Sequence, residues 1–120
     1  MNFTSGGAPG PRLDQQAIAA QDLGNNVCGF LTSAKDAQHA ADTFRAGGWS
    51  VRASSWDEFE VEHTFARLEL LPIAPVTFSG FVDPARIDTL LTALTSLGLS
   101  WTVEYEHRDG TEQLFRSAHG

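Results

Sequence analysis

The sequence predicts an α+β domain, a two-layer sandwich in which two helices pack on one face of a largely antiparallel sheet. Three observations predict it: two amphipathic helical segments, about six segments that alternate as strands, and Gly or Pro between them. The chain has 120 residues, the size of one domain. The order β-α-β-β followed by β-α-β-β further predicts a ferredoxin-like or related arrangement.

The first residues predict little ordered structure. Residues 1–26 are expected to form a flexible tail because residues 1–10 are rich in Gly. Within that tail, Leu13, Ala17 and Ala20 recur at helical spacing, which predicts one short helix. The single α/β domain is predicted over 27–117, with a C-terminal tail at 118–120.

The first β-α-β unit begins with the apolar segment VCGFLT, which predicts a strand over 27–32 with Cys28 as a buried, inert thiol. Thr32-Ser33 is the expected N-cap of the next helix. That helix presents a narrow apolar stripe and ends at Gly47-Gly48; the stripe is formed by Ala37, Ala40, Ala41 and Phe44. WSVRAS then alternates as a strand over 49–54.

The middle of the chain is more ambiguous. Residues 59–71 alternate as a strand, but the apolar phase changes near Ala66-Arg67, which predicts either a bulge or a second strand. Pro72 and Pro75 indicate a turn, and residues 76–82 are again extended.

The second helix has the clearest sequence signal. Asp83-Pro84 predicts its start, with Asp83 as the N-cap. Five apolar residues follow on one face, and their burial supplies about 10 kcal/mol gross; they are Ile87, Leu90, Leu91, Leu94 and Leu97. Residues 100–107 and 111–117 then predict a hairpin around Asp109-Gly110.

The two halves align with each other. Gly29-Phe30 matches Gly80-Phe81 and Gly47 matches Gly98, both at an offset of 51 residues. Either the domain is a tandem βαββ duplication, or two similar units obey the same local rules.

Charge is distributed unevenly along the chain. The net charge is −7, and residues 1–56 sum to zero, so residues 57–120 carry all of it. Such a surface repels nucleic acid and attracts a basic protein partner. The apolar runs are too short to span a membrane, and a lone cysteine is typical of a reducing compartment, so a cytoplasmic protein is expected.

Two similar strings, EVEH at 60–63 and EYEH at 104–107, resemble acid–base or metal motifs. In a strand, however, Glu60 and Glu62 share one face while His63 points to the other. No CxxC, HxxxH, GxSxG or P-loop occurs. We therefore expect no enzyme, metal site or cofactor. A solvated strand face and a partner-binding acidic face both remain open.

The expected contact surface for a basic protein combines an aromatic residue with carboxylates. Trp56 lies in a turn segment beside two acids and suits an interface anchor. The predicted binding residues are Trp56, Asp57, Glu58, Glu60, Glu62, Glu104 and Glu106.

In size, in the acidic string 56–62 (WDEFEVE) and in element order over 27–117, the chain resembles the immunity proteins of bacterial polymorphic-toxin systems. That resemblance implies a protein that binds and neutralises a cognate toxin domain. The element order is also similar to that of acidic ferredoxin-like regulators of ribonuclease activity. A different class, the glyoxalase/bleomycin-resistance superfamily, is similar in its paired βαββ units and would imply a small-molecule or metal-binding module.

Overall fold

The fold is built on a seven-stranded sheet, seen in a computed structural model that describes residues 10–21 and 24–117. The strands are β1 Val27–Leu31, β2 Ser50–Ala53, β3 Phe59–His63, β4 Ala66–Leu71, β5 Val76–Val82, β6 Trp101–Glu106 and β7 Glu112–Arg116. The helices are α1 Gln15–Ala20, α2 Ala37–Ala46 and α3 Ile87–Ser96, the last preceded by a 3₁₀ turn at Pro84–Arg86.

The strands follow the order β2-β3-β4-β5-β1-β6-β7, and every neighbouring pair is antiparallel. The prediction of an α+β domain with a largely antiparallel sheet is therefore confirmed. β6 lies directly beside β1, whereas β2 lies at the far edge of the sheet. Duplication of the two βαββ units stays a prediction.

The main core lies between α2, α3 and one face of the sheet. The apolar stripe of α2 is buried as predicted, with Phe44 fully covered. On α3, only Leu90 and Leu94 are fully buried, while the other predicted members of its stripe are partly exposed. The helix thus uses a narrower face than the five-residue stripe indicated.

Two local predictions are decided by the structure. Residues 59–71 form two strands, because the chain turns between His63 and Ala66. The N-cap of α2 is Asp36, whose carboxylate accepts the His39 amide at 2.8 Å, so the prediction of Thr32-Ser33 was wrong. The hydroxyl of Ser33 instead accepts the Ser100 amide at 2.9 Å.

The predicted short helix, α1, lies on the second face of the sheet. Leu13 and Ala17 pack there against Phe81 in a small separate core. The amide of Asp14 also donates to the Thr64 carbonyl at 3.0 Å. Residues 10–21 are therefore folded onto the sheet, which differs from the expected flexible tail; residues 1–9, 22–23 and 118–120 lie outside the described residues.

An ion-pair network holds this segment. The guanidinium of Arg86 donates to both carboxylate oxygens of Asp14 at 2.7 and 2.8 Å and to Asp83 at 2.8 Å. These bonds to Arg86 lower the pKa of Asp14 to about 2. Asp83 also accepts the Ala85 amide, as its predicted capping role requires.

In the part of the chain that the structure describes, no helix combines the length and apolarity needed to cross a membrane.

Candidate functional site

Three loops meet at one end of the sheet and form a groove of about 320 Å³, called here the loop groove. They are the β1–α2 loop with the first two residues of α2 (residues 34–38), the β2–β3 loop (residues 56–57) and the β4–β5 loop (residues 72–75). The groove also reaches the first buried residues of two strands, Phe59 and Val76. It is mostly apolar, and its entrance is open to solvent.

Trp56 is the most exposed large apolar side chain of the described residues, at 92%. Two hydrogen bonds close the base of the loop that carries it: the Ser54 and Ser55 amides both donate to the Glu58 carbonyl, at 2.9 and 3.3 Å. This closure places Trp56 and Asp57 at the tip of the loop. The indole is therefore displayed by an ordered turn.

Ile73 is the second exposed apolar side chain of the groove, at 54%. It lies between Pro72 and Pro75, where the chain cannot continue either strand. Its amide donates to the Leu71 carbonyl at 2.8 Å, which tightens the turn. The groove thus offers two apolar side chains from two different loops.

The rim of the groove carries mixed charge from Lys35, Asp36 and Asp57. The carboxylate of Asp36 is committed to capping α2. Asp57 is exposed and lies next to the indole in sequence. The arrangement can contact an apolar side chain of a partner and place a carboxylate beside it.

Of the predicted binding residues, Trp56 and Asp57 line the loop groove, and Glu58 follows them. Glu60 and Glu62 lie on β3, on the second face of the sheet, and both are half-buried. Glu60 forms ion pairs with Arg52 and, at 4.0 Å, with Arg67. Glu62 accepts the Leu13 amide at 2.8 Å. Both β3 carboxylates therefore already have partners within the chain.

Glu104 and Glu106 belong to a separate surface. They lie on β6, with three strands (β4, β5 and β1) between them and β3. Strands are spaced by about 4.8 Å, which puts the two acidic strings about 19 Å apart. The four carboxylates do not form one cluster. Both β6 glutamates are exposed.

Cys28 lies beside Glu104 on this face and is exposed, so the prediction of a buried thiol was wrong. Val27, Gly29 and Leu31 face the main core, and Cys28 therefore points the other way. Partial burial, with Glu104 and Glu112 nearby, raises the pKa of its thiol. A raised pKa disfavours the reactive thiolate.

Of the two histidines in the acidic strings, neither His63 nor His107 joins the carboxylates. His63 is half-buried, packs against Trp49 and Phe65, and accepts the Thr64 amide on Nδ1 at 2.8 Å. Its burial lowers its pKa. His107 is exposed and its Nε2 lies 3.0 Å from the Gln113 side-chain oxygen. Among residues 10–21 and 24–117, no group of three or more His, Cys, Asp and Glu side chains could hold a metal ion.

Sequence reasoning missed Ile73 as a site residue. Its signal was available: a large aliphatic residue between two prolines can join neither strand nor helix, and so is often exposed. The contacts of Asp14 with Arg86 were missed as well, because they join residues 72 positions apart.

The fold and the groove define a small α+β domain that displays a tryptophan at one end of an antiparallel sheet. Comparisons of the chain with protein-family models, with curated proteins and with solved structures found no match.

Proposed function

We propose that this chain is an acidic protein-binding module of the immunity type, which binds and neutralises a basic bacterial toxin domain in the cytoplasm. The observation that carries the proposal is Trp56, exposed at 92% on a closed loop beside the loop groove. Tryptophans that fill a pocket on a partner are among the strongest anchors of protein interfaces. A rigid turn also lowers the entropy lost on binding.

Electrostatics supports a basic partner. All of the net charge of −7 falls after residue 56, and Asp57 lies at the rim of the loop groove. Carboxylates so placed speed the encounter with a basic surface. Because Glu60 and Glu62 are already paired within the chain, Asp57 is the better residue for charge reversal.

The test uses a toxin domain encoded beside this chain. Bacteria that produce the toxin should survive when they also produce this chain. Trp56→Ala should weaken the measured affinity by roughly 30-fold or more, because losing a hot-spot anchor costs at least about 2 kcal/mol. Asp57→Lys should slow association, and high salt should shrink that effect.

Ile18→Ala provides the matched control. Ile18 is also an exposed aliphatic residue, at 55%, but it lies on α1, away from the loop groove. Its truncation should change the affinity less than about 3-fold. Equal affinities for the Trp56→Ala variant and the unmodified chain would refute the proposed anchor, and absence of any protection would refute the immunity role.

One observation favours a second candidate, a small-molecule-binding module. A groove of about 490 Å³ lies between α3 and an aromatic cluster of Trp49, His63 and Phe65, with Asp88 at its side. Its size fits a small organic ligand. A ligand held there should raise the melting temperature of the unmodified chain but not that of Thr92→Trp, which fills the groove from α3.

A further inference from the structure

Strand β7 forms one edge of the sheet and, among the described residues, pairs with β6 alone. Four of its five residues are exposed, including Leu114 at 51%, and Phe115 is half-buried. The strand contains neither Pro nor Lys, two residues that often protect an edge, and its two charged residues, Glu112 and Arg116, have opposite signs. Such an edge can accept a strand whose charges are complementary.

The hydrogen bonds between β6 and β7 identify which backbone groups of β7 are available. The Trp101 carbonyl accepts the Ser117 amide at 3.0 Å, and the Thr111 carbonyl accepts the His107 amide at 2.8 Å. Because bonded and non-bonded residues alternate in an antiparallel pair, the odd-numbered residues of β7 bond to β6. The N–H and C=O groups of Glu112, Leu114 and Arg116 therefore point away from the sheet.

The side chains of β7 are complementary to a second copy of the same strand. A two-fold axis that passes midway between the Leu114 residues of the two copies pairs all five residues of two antiparallel β7 strands. It places Glu112 opposite Arg116 of the second copy, twice, and Leu114 opposite Leu114. In this register the bonded positions are the even-numbered ones, which are those with outward backbone groups. Side-chain charge and backbone geometry therefore select the same register.

The charges around β7 also favour this pairing. Glu112 lies opposite Glu106 within its own sheet, a like-charge pair that is unfavourable. Arg116 lies opposite Thr102, which carries no charge. Arg116 of a second copy would therefore place an opposite charge beside each Glu112.

We propose that β7 is a self-association edge, through which two copies form one continuous antiparallel sheet of fourteen strands. Five paired residues per chain bury less than the roughly 1,200 Å² of a standard stable interface. The dimer is therefore weak, with a dissociation constant on the order of 100 µM. The loop groove is formed by other loops and stays open in this dimer.

Sedimentation velocity from about 10 µM to 1 mM tests the register with two charge-reversal variants, Glu112→Arg and Arg116→Glu. Each variant alone places two pairs of like charges opposite each other across the two-fold axis. Its self-association should therefore weaken by about 10-fold or more. An equimolar mixture of the two places an arginine opposite a glutamate at both sites. That mixture should associate to within about 3-fold of the unmodified chain.

Leu114→Pro provides a second test, because position 114 donates no backbone bond to β6. The substitution should abolish self-association while leaving the melting temperature nearly unchanged. An unmodified chain that remains monomeric at 1 mM would overturn the proposal. So would single charge reversals that associate as strongly as the unmodified chain, or folded variants whose mixture does not associate.

Discussion

Asn26 links two central strands, and its replacement should reveal how much they depend on one side chain. Its amide nitrogen donates to the Val82 carbonyl at 2.8 Å, and its amide oxygen accepts the Val82 N–H at 2.9 Å. The residue is only 8% exposed. Asn26→Ala leaves both Val82 groups without these bonds, and each buried unsatisfied group costs about 1–3 kcal/mol.

We therefore expect Asn26→Ala to lower the free energy of unfolding by about 2–4 kcal/mol, a large share of a typical 5–15 kcal/mol. Asn26→Asp keeps the shape but, when ionised, turns an acceptor toward the Val82 carbonyl. Burial raises the pKa of the introduced carboxyl group. Once protonated, that group can both donate to the Val82 carbonyl and accept from its N–H, as the asparagine does.

The sign of the pH dependence follows from this raised pKa. Because the folded-state pKa lies above the unfolded value, the deficit in the free energy of unfolding of Asn26→Asp, relative to the unmodified chain, is largest at pH 7. The deficit then shrinks as the pH falls through that pKa toward about 4. Urea unfolding, followed by tryptophan fluorescence at several pH values, measures the difference. Asn25→Ala, at an exposed neighbouring position, is the control and should cost less than about 0.5 kcal/mol.

A deficit of Asn26→Asp that does not change with pH would refute the assigned pair of hydrogen bonds. A cost below 1 kcal/mol for Asn26→Ala, well under the about 2–4 kcal/mol expected, would do the same.

Two further predictions concern the core and the N-terminal segment. Leu94→Ala should lower the free energy of unfolding, measured in urea, by about 2–5 kcal/mol because Leu94 is fully buried. Leu91→Ala should lower it clearly less because Leu91 is half-buried. Equal losses for the two variants would contradict the orientation of α3. The pKa of Asp14 is lowered from 3.8 to about 2 by its bonds to Arg86, so its contribution to stability is present above about pH 4 and is lost as the pH falls toward 2. Arg86→Gln should remove that part of the acid dependence, and acid titrations that superimpose for the two proteins would show that the ion pair does not form in solution.

The elements and their faces could largely be predicted from the sequence because they depend on local periodicity. The alternation over 59–63 and 101–106 gave the buried and exposed positions of β3 and β6. It could not assign the face of Cys28, because residues 27–31 are apolar at nearly every position and show no alternation of apolar and polar residues. Strand order was also beyond the sequence, because β1 pairs with β5 and β6 through distant contacts.

The candidate site was predictable only in part. Trp56 and Asp57 lie in a polar turn segment, where an aromatic residue is conspicuous. The partners of Glu60 and Glu62 were not predictable, since they depend on Arg52, Arg67 and the docked N-terminal segment. A carboxylate on an outward face can be solvated or paired, and sequence alone does not distinguish the two.

The central place of β1 also affects how the chain folds during its synthesis. β1 ends at Leu31, but its two neighbours begin only at Val76 and Trp101. At about 5–20 residues per second, a ribosome needs several seconds to make the intervening chain. Until β5 has been made, β1 has neither of its final neighbours, and Phe30 and Leu31 lack the strands that pair with them in the folded sheet. β1 therefore gains its second neighbour only after β6 has been made, and a nascent-chain chaperone has those seconds in which to bind.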